Sequence, residues 1–266
     1  MEQGCTKKRE AEEIVHADQK RSKVMDICSI PFLSQMKKKS SNISISSFIF
    51  FMQCNQFQHV ESFIKLASEM TDRHKQCVHR MGFQTFLQIT SMSNIDSIYF
   101  WLANHHFNTT SCSIEMPNGF KFPITTTTVH KIFGIPIGGV PVITKPSKAT
   151  YEFIKHGFGT TSPTIEYLFS IINDDLPQDK YCRIFILILL SLFVAPNSSG
   201  VVTKFVYNAI VDVDSISQYD WCLLCLSYMV YSIKKEKLNN SSTNKFIPGG
   251  SKLLMVVSIF PMTKFL

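Results

Sequence analysis

The sequence predicts a mainly α-helical protein: a multi-helix globular domain over residues 46–266 with one small β-hairpin, and a disordered charged tail over residues 1–45. Two observations predict the domain. Apolar residues recur at helical spacing in many segments after residue 58, and Asn118-Gly119 between two short apolar runs is a strong hairpin signal. A third observation predicts the tail, because residues 1–45 mix basic and acidic side chains without apolar periodicity.

Two apolar helices between residues 181 and 237 are expected to form the centre of the domain. Residues 183–195 (RIFILILLSLFVA) are apolar on all sides, which predicts a fully buried helix, and they are too few for the ~20 residues of a membrane span. The Pro/Ser/Gly turn at 196–200 ends this helix. A second helix is predicted from about 216 to 238, with an apolar stripe and a capping box that begins at Ser215.

Shorter elements flank these two helices. The hairpin is predicted over residues 112–123. Threonines cap a helix over 125–133, and Gly134 occupies its C-terminal cap position. Further helices are predicted over residues 59–79, 94–107, 164–172 and 251–259, with a short apolar element over 83–89. Either Ser162 or Thr164 is expected to cap the helix over 164–172. Residues 140–162 are interpreted as a linker or surface insertion, and residues 46–54 as a strand, a docking segment or an imported piece.

The composition bounds the class of protein. At 266 residues and 45% hydrophobic content, the chain forms one large or two small globular domains, and its net charge of +7 is a mild excess. Its eight cysteines accompany no secretory signal, because the N-terminus MEQGCTKKREAEE is charged where such a signal is apolar. We therefore expect a reducing compartment, free thiols and no association with a membrane.

A CxxC pair, Cys222 and Cys225, is the first motif with chemical potential. Redox enzymes place such a pair at a helix N-terminus, where the pKa of the first thiol falls. Here the pair is predicted two turns inside a helix among leucines, and no second pair completes a zinc site. We interpret both residues as buried core thiols, with redox and metal roles as the alternatives.

The histidines give a second set of candidates. His74, Cys77 and His79 lie on one predicted helix, but at ~3.6 residues per turn His79 diverges from the other two, which favours a solvated helix face over a metal site. His105-His106 diverge in the same way. His130 is interpreted as a capping or half-buried residue rather than a ligand.

The remaining motifs do not indicate catalysis. The acidic pairs Asp174-Asp175 and Asp212/Asp214 lie next to predicted helix starts, where they stabilise the helix dipole. There is no GxSxG elbow, no local sequence that frames a cysteine nucleophile and no P-loop. The sequence therefore predicts no catalytic, cofactor-binding or metal-binding residue, no cofactor, no small-molecule substrate and no enzyme activity.

Three basic clusters in the tail suggest contacts outside the domain. They are Lys7-Lys8-Arg9, Lys20-Arg21-Ser22-Lys23 and Lys37-Lys38-Lys39. Such clusters serve as nuclear import signals or contact nucleic-acid phosphates, and the plain alternative is a solvated charged tail.

The order of several motifs carries a family resemblance. The series comprises Met81-Gly82-Phe83-Gln84-Thr85-Phe86-Leu87, Phe100-Trp101-Leu102, Met116-Pro117-Asn118-Gly119, ITTTTVHKIFGIPIGG at 124–139, FVAPNSS at 193–199, and Val213-Asp214 to Asp220-Trp221-Cys222. It resembles the plant mobile domain, also labelled the aminotransferase-like plant mobile domain, over roughly residues 60–257. The "aminotransferase-like" label finds no support, because neither a Schiff-base lysine nor a phosphate-binding loop is recognisable.

The resemblance implies a non-catalytic helical interaction module in a transposon-related plant nuclear protein, with a role in transposon silencing or development. It implies protein partners, a location in the nucleus or alternatively the cytoplasm, and nucleic-acid contact through the basic tail. Two alternatives stay open: a domain that binds nucleic acid directly, and the front part of a transposon-encoded protein with a SUMO-protease-type domain. Residues 259–266 break the helical pattern of the family, which indicates a truncated gene product or a fragment.

Overall fold

The computed structural model describes residues 49–92, 95–197, 199–239 and 250–258, and the structural statements below concern these residues. They form a mainly helical fold with one small antiparallel sheet, which confirms the predicted fold class. The α-helices are α1 (Ile49–Glu69), α2 (Asp72–Met81), α3 (Asp96–Trp101), α4 (Thr126–Phe133), α5 (Lys148–Phe158), α6 (Ile165–Ile171), α7 (Gln178–Leu189), α8 (Trp221–Asn239) and α9 (Lys252–Ser258). The strands are β1 (Phe107–Asn108), β2 (Ser113–Glu115) and β3 (Lys121–Pro123).

Shorter helical turns complete the fold. The 3₁₀ turns are Gln84–Gln88, Lys204–Val206, Asn208–Ile210 and Ile216–Gln218, and two π turns, Leu102–His106 and Leu190–Val194, extend α3 and α7. The predicted tail over 1–45, part of the segment 46–54 and the C-terminal residues 259–266 lie outside the described residues.

Helix α7 is the centre of the core, as predicted for residues 183–195. Every residue from 184 to 191 is buried, because the segment has no polar face to turn toward water. It packs against α2 and α6, and Phe63 of α1 contacts Phe185 and Phe193 at ring-centroid distances of 5.4 and 5.2 Å. No helix in the described ranges is both long and apolar enough to cross a membrane.

Helix α8 begins at Trp221, five residues after the predicted start near 216. The predicted capping box at Ser215 is wrong, because Ser215 makes no side-chain cap bond. Instead, Asp220 Oδ1 accepts from the Leu223 amide at 2.9 Å. The reason is tertiary: Val140 donates to Gln218 O at 3.0 Å and accepts from Asp220 N at 2.9 Å, which holds this segment extended.

The predicted hairpin is confirmed, and it is part of a larger sheet. Strands β2 and β3 pair antiparallel, with Ile114 opposite Phe122, and Gly119 in the turn has φ +86°. A third strand, β1, pairs with β2 where the helix over 94–107 was predicted to end. That prediction is wrong at its end, because the helix closes with a π turn and Phe107 is buried opposite Ile114.

The smaller helices follow their predicted caps. Thr125 and Thr128 form a capping box at α4, Gly134 ends α4 with φ +64°, and Thr164 caps α6. The helix predicted over 59–79 is two helices, because Thr71 starts α2 with a cap bond to the His74 amide.

The interpretation of residues 140–162 as a linker or insertion is wrong. They contain helix α5, which buries Ile154 and Phe158 and is capped by Ser147. Thr150 Oγ1 ties it to Asn208 Oδ1 at 2.6 Å. The sequence carries a local signal for α5, because Tyr151, Ile154 and Phe158 lie at helical spacing between Ser147 and Gly159, but the Pro, Thr and Lys residues of this region led to the linker interpretation.

The expectation that the cysteines are free thiols is wrong for one pair. Cys77 of α2 and Cys182 of α7 form a disulfide, because the packing of α2 on α7 brings together two residues that are 105 positions apart. Among the described cysteines, Cys112, Cys222 and Cys225 are free.

Candidate functional site

An open groove of about 560 Å³ runs beside the three-stranded sheet, and we call it the sheet groove. It lies where four segments meet: the π turn after α3, strand β1, the turn between β2 and β3, and the C-terminal end of α8. Its lining residues are His105, His106, Phe107, Asn108, Thr109, Glu115, Met116, Pro117 and Lys237.

The π turn Leu102–His106 brings two histidines to the groove. Wide turns of this kind occur frequently at functional sites. His106 Nδ1 donates to the carbonyl of Glu115 at 3.0 Å, and its ring centroid lies 3.9 Å from that of Trp101. These two contacts hold His106 in place, while His105 is exposed. Adjacent histidines were expected to diverge on a helix, but His105 and His106 both line this groove.

Glu115 is the acidic residue of the groove, and its charge is compensated. Its Oε1 accepts from Lys121 Nζ at 3.3 Å, and from Asn108 Nδ2, Ser111 Oγ and Ser113 Oγ at 3.2 Å each. The hydrogen bond from Lys121, followed by those from the serines, lowers the pKa of Glu115, so the carboxylate stays ionised and paired.

Lys237 is the basic residue of the groove. It lies in the last turn of α8 and donates from Nζ to the Phe107 carbonyl at 2.9 Å. Partial burial lowers its pKa. Within the described part of the chain, no carboxylate lies within ion-pair distance of this ammonium. Lys237 was not predicted from the sequence as a site residue, because its position depends on how α8 packs against β1.

The CxxC pair lies elsewhere, and both of its thiols are buried, as predicted for core thiols. The predicted position two turns inside a helix is wrong, since Cys222 lies in the first turn of α8. A thiol in the first turn of a helix ordinarily has a lowered pKa, but burial raises the pKa of Cys222 to about 12. Burial also raises the pKa of Cys225. Cys222 Sγ donates to the Ile135 carbonyl at 3.5 Å.

The helix face that carries His74 and Cys77 is buried, which corrects the prediction of a solvated face. The His74 ring stacks on Tyr181 with a centroid distance of 3.6 Å, and Cys77 is in the disulfide. His74 Nδ1 lies 3.0 Å from Thr71 Oγ1 and 3.2 Å from Asp174 Oδ1. This face is buried because α7 covers it. His79, which was expected to diverge from this face, is exposed.

The other candidates have local structural roles. His130 donates from Nδ1 to the Ile135 carbonyl at 2.7 Å and so holds the loop after Gly134. Asp212 accepts from the Asp214 amide at 3.1 Å and from the Ser215 hydroxyl, which forms a turn before α8. No three His, Cys, Asp or Glu residues in the described ranges are arranged to hold a metal ion.

Taken together, the described residues of the groove offer the Lys237 ammonium, two imidazoles and the Thr109 hydroxyl beside an edge of the sheet. These groups donate hydrogen bonds and attract negative charge. The arrangement suits binding of a polar, anionic group at an open surface.

Comparison with known proteins identifies the family of the chain. Neither the curated proteins nor the solved structures contain a significant match to it. A family described as a domain of unknown function, DUF8566, matches residues 58–255, a range that includes the core helix α7 and every residue lining the sheet groove. Because this match covers well over half of the chain, the protein belongs to the DUF8566 family.

Proposed function

We propose that the chain is a non-catalytic interaction module of a transposon-related plant nuclear protein, which acts in transposon silencing or development. The resemblance of its motifs to the plant mobile domain is the basis for the plant, nuclear and transposon terms. The observation that supports an interaction role is the sheet groove, an open surface whose polar groups are held in place by hydrogen bonds.

The burial of the chemically reactive side chains also favours binding over catalysis. The thiols of Cys222 and Cys225 have raised pKa values and so lack the thiolate character of nucleophiles. His74 is enclosed between Thr71, Asp174 and Tyr181. These residues are engaged in packing the fold.

Proximity labelling in plant cells tests whether the folded part of the chain is an interaction module for nuclear proteins. The full chain fused to a labelling enzyme is compared with a variant that lacks residues 1–45 but carries an unrelated nuclear import signal. We expect both to label the same nuclear proteins, because the folded part makes the contacts. Loss of all specific labelling with the tail, or labelling of cytoplasmic proteins alone by the full chain, would contradict the proposal.

Direct nucleic-acid binding is the second candidate, and the lysines near the sheet favour it. Lys234 lies close enough to Cys112 to affect its pKa, and Lys237 lines the groove beside it. Binding to random duplex and single-stranded DNA across a salt series, with and without residues 1–45, tests this candidate. Affinity that survives removal of the tail and falls steeply with salt would support it.

A further inference from the structure

We propose that the sheet groove binds an acidic segment of a partner protein, with Lys237 as the residue that pairs with a carboxylate of that segment. This inference rests on the proposed function and goes further, because it names the binding site and the chemistry of the partner.

The ammonium of Lys237 is the first argument. The Lys237 side chain is exposed, but its ammonium is held at the groove because Nζ donates to the Phe107 carbonyl at 2.9 Å, and desolvation at this position lowers its pKa. A partly desolvated charge is stabilised when an opposite charge comes within hydrogen-bond distance. Among the described residues no carboxylate lies within ion-pair distance of this ammonium, and the exposed side chain is accessible to a carboxylate of a ligand.

The charge balance of the groove is the second argument. Among the described residues that line it, Glu115 is the only acidic one, and Lys121 pairs with that carboxylate at 3.3 Å. Lys234, one helical turn before Lys237, adds a second ammonium close to the sheet, as its effect on the Cys112 thiol indicates. The groove therefore presents a positive field to a ligand.

The remaining lining residues favour a peptide. Thr109 offers a hydroxyl at the end of β1, and the partly buried Met116 and the exposed Pro117 offer apolar surface in the turn between β2 and β3. Methionine adapts its shape to different apolar side chains. A segment that alternates acidic and apolar residues would place carboxylates toward Lys237 and apolar groups toward Met116.

The aromatic residues that line the groove disfavour a nucleic acid as the ligand. Sites for single strands use exposed aromatic rings as stacking platforms. In this groove, Phe107 is 2% exposed and His106 packs against Trp101, so among the described lining residues the exposed His105 alone offers a ring to a base, which is less than a row of stacking platforms.

The test is fluorescence anisotropy with the purified full chain. The probe is a fluorescein-labelled octapeptide of alternating aspartate and leucine, and the reference probes are its asparagine counterpart and a labelled oligothymidine. We expect binding of the aspartate peptide, and roughly tenfold weaker binding to Lys237→Gln, which removes the charge but keeps a hydrogen-bond donor for Phe107. Lys235→Gln is the matched control, because this exposed lysine lies in the same turn but outside the groove.

Circular dichroism and thermal unfolding establish that both variants are folded. Equal affinity of the aspartate peptide for wild type and Lys237→Gln would overturn the proposal, as would equal binding of the asparagine peptide. Tighter, Lys237-dependent binding of oligothymidine would overturn it in favour of a nucleic-acid ligand. If the aspartate peptide does not bind but the labelling experiment still identifies specific nuclear proteins, the acidic-segment proposal is wrong and the proposed function stands. If the labelling experiment fails, the proposed function itself is wrong.

Discussion

Gly134 ends helix α4 in the left-handed conformation, with φ +64°, and a Cβ at this position would lie 2.3 Å from Thr85 Oγ1. We predict that Gly134→Val lowers the free energy of unfolding by more than the ~1–2 kcal/mol that the left-handed conformation alone costs. Urea unfolding measures this. Gly138→Val is the control, because Gly138 has φ +74° but nothing within 4 Å of the added Cβ. Equal losses in both variants would show that the contact with Thr85 is unimportant.

His74 makes stability depend on pH. Burial lowers the pKa of His74 below the ordinary value of 6.5, although the charge of Asp174 opposes this. Between the folded-state pKa and 6.5 the unfolded chain binds more protons, so the contribution of His74 to stability is complete above pH 6.5 and is lost as the pH falls through this window to the folded-state pKa. His59, whose pKa burial also lowers, adds an effect of the same sign.

We predict that His74→Phe makes the fall in melting temperature below pH 6.5 shallower, because phenylalanine keeps a ring against Tyr181 but does not titrate. Melting temperatures across a pH series measure the slope, which is informative even if the variant is less stable overall. His79→Gln on the exposed side of the same helix is the control. An unchanged slope in His74→Phe would rule out His74 as the source.

At the scale of elements, the N-terminus of α8 depends on Asp220, which accepts from the Leu223 amide. We predict that Asp220→Ala lowers the free energy of unfolding by about 1 kcal/mol, as loss of an N-cap does. Ser215→Ala should cost less, because the Ser215 hydroxyl bonds to Asp212 in the preceding turn and caps no helix. Chemical denaturation of the two variants decides between them, and a larger loss at Ser215 would contradict this assignment of the cap.

Helices α2 and α7 are joined by the disulfide between Cys77 and Cys182. Because the bond closes a loop of more than 100 residues, we predict that replacing both cysteines with serine lowers the free energy of unfolding by ~2–4 kcal/mol. Cys112→Ser should have little effect, since Cys112 is a free thiol.

Alkylation of the denatured protein followed by peptide mapping tests the bond itself. In protein purified without reductant, Cys77 and Cys182 should be labelled only after reduction, whereas Cys222 and Cys225 should be labelled without it. Labelling of Cys77 and Cys182 before reduction would show that the bond is absent in solution.

For the whole molecule, the C-terminal helix closes the core. Leu253, Leu254, Met255 and Val256 of α9 are buried, and α9 packs on α3 and α4. We predict that ending the chain after Asn239 abolishes cooperative thermal unfolding, because burial of each such side chain contributes roughly 1.5–3 kcal/mol. Deletion of residues 1–45 should leave the melting temperature unchanged, since the described core begins at Val60. A cooperative transition without α9 would contradict this view of the core.

Much of the fold could be predicted from the sequence where the signal is local. The cap residues Thr125, Gly134 and Thr164, and the turn at Gly119, act within a few residues of their own positions, so their chemistry alone predicts the elements they bound. The all-apolar segment of α7 likewise has no stable position except the core. The candidate site was not predicted, because His105 and Lys237 are ordinary surface residues until packing brings them together.

The sequence by itself determined the helical class, the buried central helix, the hairpin and most helix caps, because each depends on side chains close together in the chain. Only the tertiary structure decided where α8 begins, that β1 joins the sheet, and that Cys77 meets Cys182. It also decided that Lys237 lies beside Phe107, 130 positions away. Contacts over such distances depend on the packing of the whole chain, and a local pattern of residues carries no record of them.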